Sequence, residues 1–203
     1  MSVQHVKNKP LIIGLTGGIA SGKTTAAKFF ESLHITIIDS DQIVKELWKH
    51  DADMVLLIEE TFGYPMDENG KKRLAKDIFQ HESLRKKLNA IVHPRVFNEI
   101  ENLKNSYHDK PIIIIDMPLL IEVGYDQYVD DVLLIYVDRK TQINRLMMRD
   151  HISTEEAIMK INSQMSLEEK REFADYIIDN NQDVDSLHEK LKTFLKSIAY
   201  EKQ

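Results

Sequence analysis

The segment Gly17-Gly18-Ile19-Ala20-Ser21-Gly22-Lys23-Thr24 constrains this chain most, because of what stands on either side of it. Before it runs Leu11–Leu15, apolar and of strand length, and after it Thr24–Leu33 has the pattern of a helix. A glycine, four residues and then Gly-Lys-Thr, set between a buried strand and a helix, is the spacing of a phosphate-binding loop. Glycines let the backbone curl so that successive N–H groups point at phosphate oxygens, and the helix start adds partial positive charge. Lys23 supplies a full charge expected to reach the β- and γ-phosphates of ATP, and the Thr24 hydroxyl is placed to coordinate Mg²⁺ bridging them. Such a loop does not by itself select a phosphoryl acceptor.

Three more runs rich in β-branched or apolar residues have strand length, Ile35–Ile38, Ile112–Ile115 and Val132–Val137, and Tyr176–Ile178 is a weaker fifth candidate. Their near-continuous apolar character suits parallel strands covered on both faces. Between them lie helix-compatible stretches: Asp41–Lys49, Ala52–Thr61, Ser83–Asn105, Lys140–Arg149, Thr154–Asn162 and, last, Asp185–Ala199. The alternation predicts right-handed crossovers and a three-layer α/β fold with a parallel sheet of about five strands, its ligand crevice at the carboxyl ends of the strands. Roughly 70 residues separate the second and third runs, far more than a crossover needs. The chain therefore reads as one domain, with a nucleotide-binding core at about 10–50, 110–140 and 170–203, a largely helical insertion at about 51–109, and a lid at about 141–169. Within the insertion, Phe62–Gly70 carries Gly, Pro and Asn-Gly and reads as a turn-rich hinge or loop.

A formal net charge of -6 argues against nucleic acid as the main partner, since duplex binding rests on a basic footprint. With no cysteine there is no disulfide framework, thiol nucleophile or thiolate metal site, which is compatible with a reducing compartment, and the cytoplasm is expected. The polar start, Met1–Pro10, precedes an apolar run too short for a signal-peptide core or a membrane span, so no membrane association is expected. No obligate protein partner is expected either, and a monomer is compatible with everything in the sequence.

Read outward from the loop, Leu15-Thr16-Gly17 through Thr24, followed by Ile38-Asp39-Ser40-Asp41, closely resembles the start of dephospho-CoA kinases. Leu88-Asn89-Ala90-Ile91-Val92-His93-Pro94, Asp116-Met117-Pro118-Leu119-Leu120-Ile121-Glu122 and the stretch from Ala174-Asp175 through Asp179-Asn180-Asn181 resemble further motifs of that family, in its order. The resemblance covers about residues 11–195. It implies a P-loop kinase fold with a helical substrate-binding subdomain and a lid. It also implies transfer of the ATP γ-phosphate to the ribose 3′-hydroxyl of dephospho-CoA, the last step of coenzyme A biosynthesis. On this resemblance, ATP is held by Gly17, Gly18, Ile19, Ala20, Ser21, Gly22, Lys23, Thr24 and Thr25, with Asn180 and Asn181 near the adenine. The acceptor is met by Asp39, Asp41, His93, Pro94, Leu119 and Glu122. The sequence departs from the family at Ser40, where alanine is usual, at Lys71 and Lys160, where arginine is common, and in a shortened stretch from Phe62 to Phe79.

Several of these residues have a bland reading beside the functional one. A ribose hydroxyl is a poor nucleophile, so a carboxylate that takes its proton assists attack, and Asp41 is the candidate base. Asp39 or Ser40 could equally cap the next helix, with Asp41 merely favouring its first turn. Arg145 and Arg149 are four apart and share a helix face, where they would stabilise charge on the transferring phosphoryl group or else form a solvated basic face, with Arg149 paired to Asp150 or Glu155. Asp116 ends the Ile112–Ile115 run, where it acts on magnesium or its waters or is an end-of-strand turn. His93, before Pro94, is expected outside helical geometry, at a bend of the long helical region. Glu122 closes the acceptor site or begins a helix, and Asn180-Asn181 contact adenine or form a polar turn. Fold and loop alone also admit another small-metabolite kinase, or a nucleotide-dependent switch whose lid reports to a partner.

Overall fold

The computed structural model describes residues 9–200. Their contacts divide into two compact units, one formed by the described residues up to Ile38 and from Tyr107 onward, the other by Asp39–Ser106. In the first, β1 (Leu11–Gly17) is buried along its whole length. It pairs in parallel with β3 (Ile112–Asp116) on one side and β4 (Asp131–Tyr136) on the other, and β5 (Tyr176–Asp179) pairs in parallel with β4. With β2 (Thr36–Asp39) beyond β3, the order is β2-β3-β1-β4-β5. The chain thus moves to one side after β1 and crosses to the other after β3, and the carboxyl end of β1 lies at that reversal, where a doubly wound sheet opens its crevice.

The apolar content of the strands is matched by the helices on them. From α1 (Lys23–Ser32), Phe29 and Phe30 meet Leu187, Leu191, Phe194 and Ile198 of α9 (Val184–Tyr200) over Ile13, Leu15, Leu133 and Ile135. Each such side chain contributes roughly 1.5–3 kcal/mol by leaving water. The second strand begins one residue later than its sequence suggests, because the Ile35 N–H returns 3.1 Å to the Phe30 carbonyl and closes α1, with His34 left-handed at φ 59°. The remaining α-helices described in this unit are α6 (Arg139–Asp150), α7 (Thr154–Ile161) and the short α8 (Leu167–Lys170). Ser153 with Glu156, and Ser166 with Glu169, form reciprocal capping boxes that start α7 and α8.

The second unit contains α2 (Ser40–His50), α3 (Ala52–Phe62), α4 (Glu68–Gln80) and α5 (Glu82–Ser106), and α5 packs against the other three. Its buried side chains include Ile43, Met54, Ile58, Leu74, Ile91, Val96 and Ile100. Two sequence expectations are corrected here. The turn-rich segment ends at Asp67, whose carboxylate accepts the Gly70 N–H at 2.8 Å, so Glu68-Asn69-Gly70 is the first turn of α4 rather than loop. Pro94 lies inside α5, with His93 helical before it. Proline has no N–H to offer the carbonyl four residues back, yet packing on three helices carries α5 through the gap. Among the described residues, no helix is long and apolar enough to cross a membrane.

Candidate active site

The phosphate loop joins β1 to α1 by two unusual backbone conformations, Ala20 at φ 61° and Gly22 at φ 97°. At Gly22 an added Cβ would fall on the Asn180 amide, so any other residue there must displace that side chain. Gly22 also offers no side-chain cap to α1, so no capping side chain competes with an anion at the helix start, where the Thr25 N–H turns back to the Gly22 carbonyl at 3.0 Å. The Ser21 N–H closes the turn onto the Gly18 carbonyl at 3.1 Å, while the Ser21 hydroxyl oxygen is buried without a partner among the described residues. A curled backbone with unused donors at a helix N-terminus fits a polyphosphate.

Side chains from distant segments fix this loop. Asn180, buried after β5, donates to the Ser21 carbonyl at 2.8 Å. Gln142 of α6 donates to the Ile19 carbonyl at 2.9 Å, and Gln164 accepts the Ile19 N–H at 3.1 Å, so both backbone polar groups of Ile19 are pinned. Ile19 and Ala20 also pack on the apolar cluster of Leu146, Ala157 and Ile161, which joins α6 to α7. Asn181 accepts the Asp138 N–H at 3.0 Å and donates to Asp179, and so ties the start of α6 to β5. Of the two asparagines, Asn180 therefore holds the loop and Asn181 the neighbouring turn.

Lys23, on the first turn of α1, has its ammonium 2.5 Å from Asp116 Oδ1 at the carboxyl end of β3, both side chains almost out of solvent. Thr24 is exposed beside it. A cleft of about 380 Å³ opens between loop and α9, lined by Ala20, Gly22, Thr25, Arg145, Asn180, Gln182, Asp183, Val184 and Leu187. Its lining sets the apolar Ala20, Val184 and Leu187 beside the polar Thr25, Asn180, Gln182 and Asp183, the mixture expected of a nucleotide-base site. Arg145 reaches into this lining and donates to the Gln182 carbonyl at 3.0 Å. Arg149 does not join it. Its guanidinium lies 2.8 Å from Asp150, which Lys160 also holds at 2.9 Å. The Arg149 and Lys160 cations together hold the Asp150 carboxyl well below the usual carboxylate range, at about 2.

The turn after β3 contributes Leu119, which is 39% exposed despite its size, and Glu122. Glu122 Oε1 lies 3.0 Å from Lys170 Nζ and accepts the Met165 N–H at 3.2 Å. Lys170 was not visible from the sequence. It stands in a polar stretch beside Arg171, and nothing local marks it as the buried cation of the pair, although the Ser166…Glu169 capping box would have located its helix.

In the helical unit, Asp39 is the N-cap of α2. One of its carboxylate oxygens accepts the N–H groups of Asp41 and Gln42, at 2.8 and 3.1 Å. That leaves the Asp41 carboxylate exposed in the first turn. His93 stacks on Phe97 with ring centroids 6.1 Å apart, and burial pushes its imidazole below the ordinary value. Two residues further along α5, the Arg95 guanidinium pairs with Asp51, the N-cap of α3, at 3.1 Å.

Known proteins share this sequence pattern and fold. A family model described as dephospho-CoA kinase matches residues 11–186. A dephospho-CoA kinase from Oceanobacillus iheyensis is 41% identical over 192 residues, covering 92% of this chain and 96% of that protein. Among solved structures, a Thermus thermophilus protein matches with a TM-score of 0.78 and 27% identity over 94% of this chain and 98% of its own. The dephospho-CoA kinase from Campylobacter jejuni matches with a TM-score of 0.69 and 25% identity, covering 95% and 98%. On a match that runs from the first strand through the phosphate loop to the start of the last helix, the chain belongs to the dephospho-CoA kinase family.

Proposed function

We propose that this protein transfers the γ-phosphoryl group of ATP to the ribose 3′-hydroxyl of dephospho-CoA, giving coenzyme A and ADP. The observation that carries the reading is the extent of the family match, residues 11–186, which takes in the phosphate loop and the whole helical unit together. The loop is a donor site common to many kinases; the acceptor is specified by the rest of the match.

In this reading the loop amides and Lys23 hold the β- and γ-phosphates, and the apolar walls of the cleft by Val184 and Leu187 receive the adenine beside Asn180, with Asn181 holding the adjoining turn near it. The 3′-oxygen attacks the γ-phosphorus, the bond to the β,γ-bridging oxygen breaks, and the hydroxyl proton passes to Asp41. Asp41 suits the task because Asp39, not Asp41, is consumed by capping. Asp39, His93, Pro94, Leu119 and Glu122 contact the acceptor. Arg145 and Arg149 act on the charge spread over the transferring group, Arg149 after release from Asp150. Mg²⁺ would be held by Thr24 directly and by Asp116 directly or through water, two oxygen donors being enough for a cation that keeps most of its waters and its phosphates, and it would neutralise developing charge. The reaction is assigned to the cytoplasm and to a monomer that needs no partner protein.

The test is an acceptor panel with purified protein, ATP and Mg²⁺. ADP release dependent on dephospho-CoA, with phosphate appearing on the ribose 3′-oxygen, is expected. Turnover with a nucleoside or nucleotide and none with dephospho-CoA above the ATPase background would sink the reading.

A further inference from the structure

Lys170 is a fully buried cation that none of the roles above employs. Its side chain is 0% exposed, although it ends a four-residue helix in a strongly polar stretch. A buried ammonium is tolerated only when its three N–H groups are matched. Here they are. Nζ donates to the Pro118 carbonyl at 2.6 Å and to the Gly17 carbonyl at 3.2 Å, and it lies 3.0 Å from Glu122 Oε1. Thr16 Oγ1, at 3.5 Å, borders the same site and itself donates to the Pro118 carbonyl at 3.0 Å. Burial pushes the ammonium below its ordinary value, the nearby Lys23 adds to that, and the Glu122 carboxylate opposes both.

The partners matter more than the burial. Gly17 ends β1 and is the first residue of the phosphate loop, and Pro118 follows two residues after Asp116, the partner of Lys23. Glu122 in turn accepts the Met165 N–H, on the chain returning from α7, next to the Gln164 that pins Ile19. One ammonium therefore fastens together the entrance of the phosphate loop, the turn that carries Asp116, and the return of the lid segment. An apolar side chain of the same length would fill the space but bind none of the carbonyls.

We infer that Lys170 is a positioning residue for phosphoryl transfer, which sets the phosphate loop against the end of β3 so that Lys23, oriented by Asp116, meets the γ-phosphate in productive register. It acts through these groups and touches no reacting atom. Misplacing them by a fraction of an ångström weakens the transition state more than it weakens ground-state binding, because nucleotide affinity is spread over many loop amides. The inference rests on the kinase reading, so wild-type transfer to dephospho-CoA is the reference measurement.

The experiment compares Lys170→Arg and the double variant Lys170→Met/Glu122→Gln, in which no unpaired buried charge remains, with Glu122→Gln alone as the reference that carries the loss of any acceptor contact. Thermal unfolding, the Kd of a non-hydrolysable ATP analogue and the single-turnover transfer rate are read for each. The double variant is expected to bind the analogue within about threefold of wild type and to transfer at least about 30-fold more slowly than Glu122→Gln. Lys170→Arg keeps the charge but replaces a point donor with a planar fork, and is expected to retain about a tenth of the wild-type rate. A transfer rate in the folded double variant within threefold of that of Glu122→Gln overturns the inference. Should the double variant not fold, Lys170→Arg decides alone, and a wild-type rate in it overturns the inference equally. Absence of wild-type transfer to dephospho-CoA would instead sink the kinase reading itself.

Discussion

The ammonium of Lys23 and the carboxylate of Asp116 meet at 2.5 Å between the first turn of α1 and the carboxyl end of β3, with 13% and 10% of their side chains exposed. Each is the partner that the other needs in order to be charged so far from water, and Asp116 sits in register with Leu15 of the strand that leads into the loop.

Lys23→Met is therefore expected to act on two observables that a second substitution separates. It leaves the Asp116 carboxylate buried with less compensation, which lowers stability by on the order of 3 kcal/mol, and it removes the charge meant for the γ-phosphate, which lowers turnover by at least about 10³-fold. Lys23→Met/Asp116→Asn should regain much of the denaturant midpoint and none of the turnover. Recovery of both together would mean that Lys23 serves the fold alone.

Gly22 and Gly63 make a second contrast. Both are left-handed, at φ 97° and 76°, so alanine at either is strained by about 1–2 kcal/mol. Only at Gly22 would the new Cβ strike anything, the Asn180 amide that holds the Ser21 carbonyl. Gly22→Ala is expected to weaken binding of an ATP analogue by more than tenfold, and Gly63→Ala to leave it unchanged. Calorimetric titration of the two folded variants checks the difference.

The phosphate loop and the five strands were legible because the apolar runs that bracket them exceed anything a loop would carry, and because a parallel sheet buries both faces of each strand. α4 was not legible. Of its residues only Gly70 and Leu74 are buried, and Asn69-Gly70 carries the chemistry of a turn. What makes it helical is the Asp67 cap and the packing on α5, the second of which is tertiary. The choice between Asp39 and Ser40 as the cap of α2 likewise needed coordinates, since both residue types cap well. Lys170 lay beyond local reading altogether: its partners are 48 to 154 residues away along the chain, since Glu122 stands at 122 and Thr16 at 16 against 170.

His93 supplies a prediction in pH. Burial in the helical unit lowers its folded pKa, so the unfolded chain takes up the proton first, near 6.5. The stability attached to the neutral ring is then fully present above that value and is lost as pH falls from 6.5 toward the lowered folded pKa. The denaturant midpoint of wild type should fall more steeply than that of His93→Gln over this window, and the ring Cε1–H signal should titrate below 6.5. A midpoint at or above 6.5 would mean that the ring is charged in the folded state near neutrality.

Asp39 and Asp41 stand two residues apart and are expected to fail in opposite ways. The Asp39 carboxylate accepts two backbone N–H groups at the start of α2, so Asp39→Ala should lower stability by about 1 kcal/mol. The Asp41 carboxylate is exposed, and its substitution by asparagine should move the thermal midpoint little. Activity should reverse the order. If Asp41 takes the proton of the ribose hydroxyl, Asp41→Asn keeps ATP-analogue affinity and lowers the single-turnover rate by about 10²–10⁴-fold, whereas Asp39→Ala retains a larger share of the rate once the comparison is made well below its melting temperature. Near-native transfer by Asp41→Asn would remove it from the role and leave the proton to be taken by solvent, as a largely dissociative transition state permits.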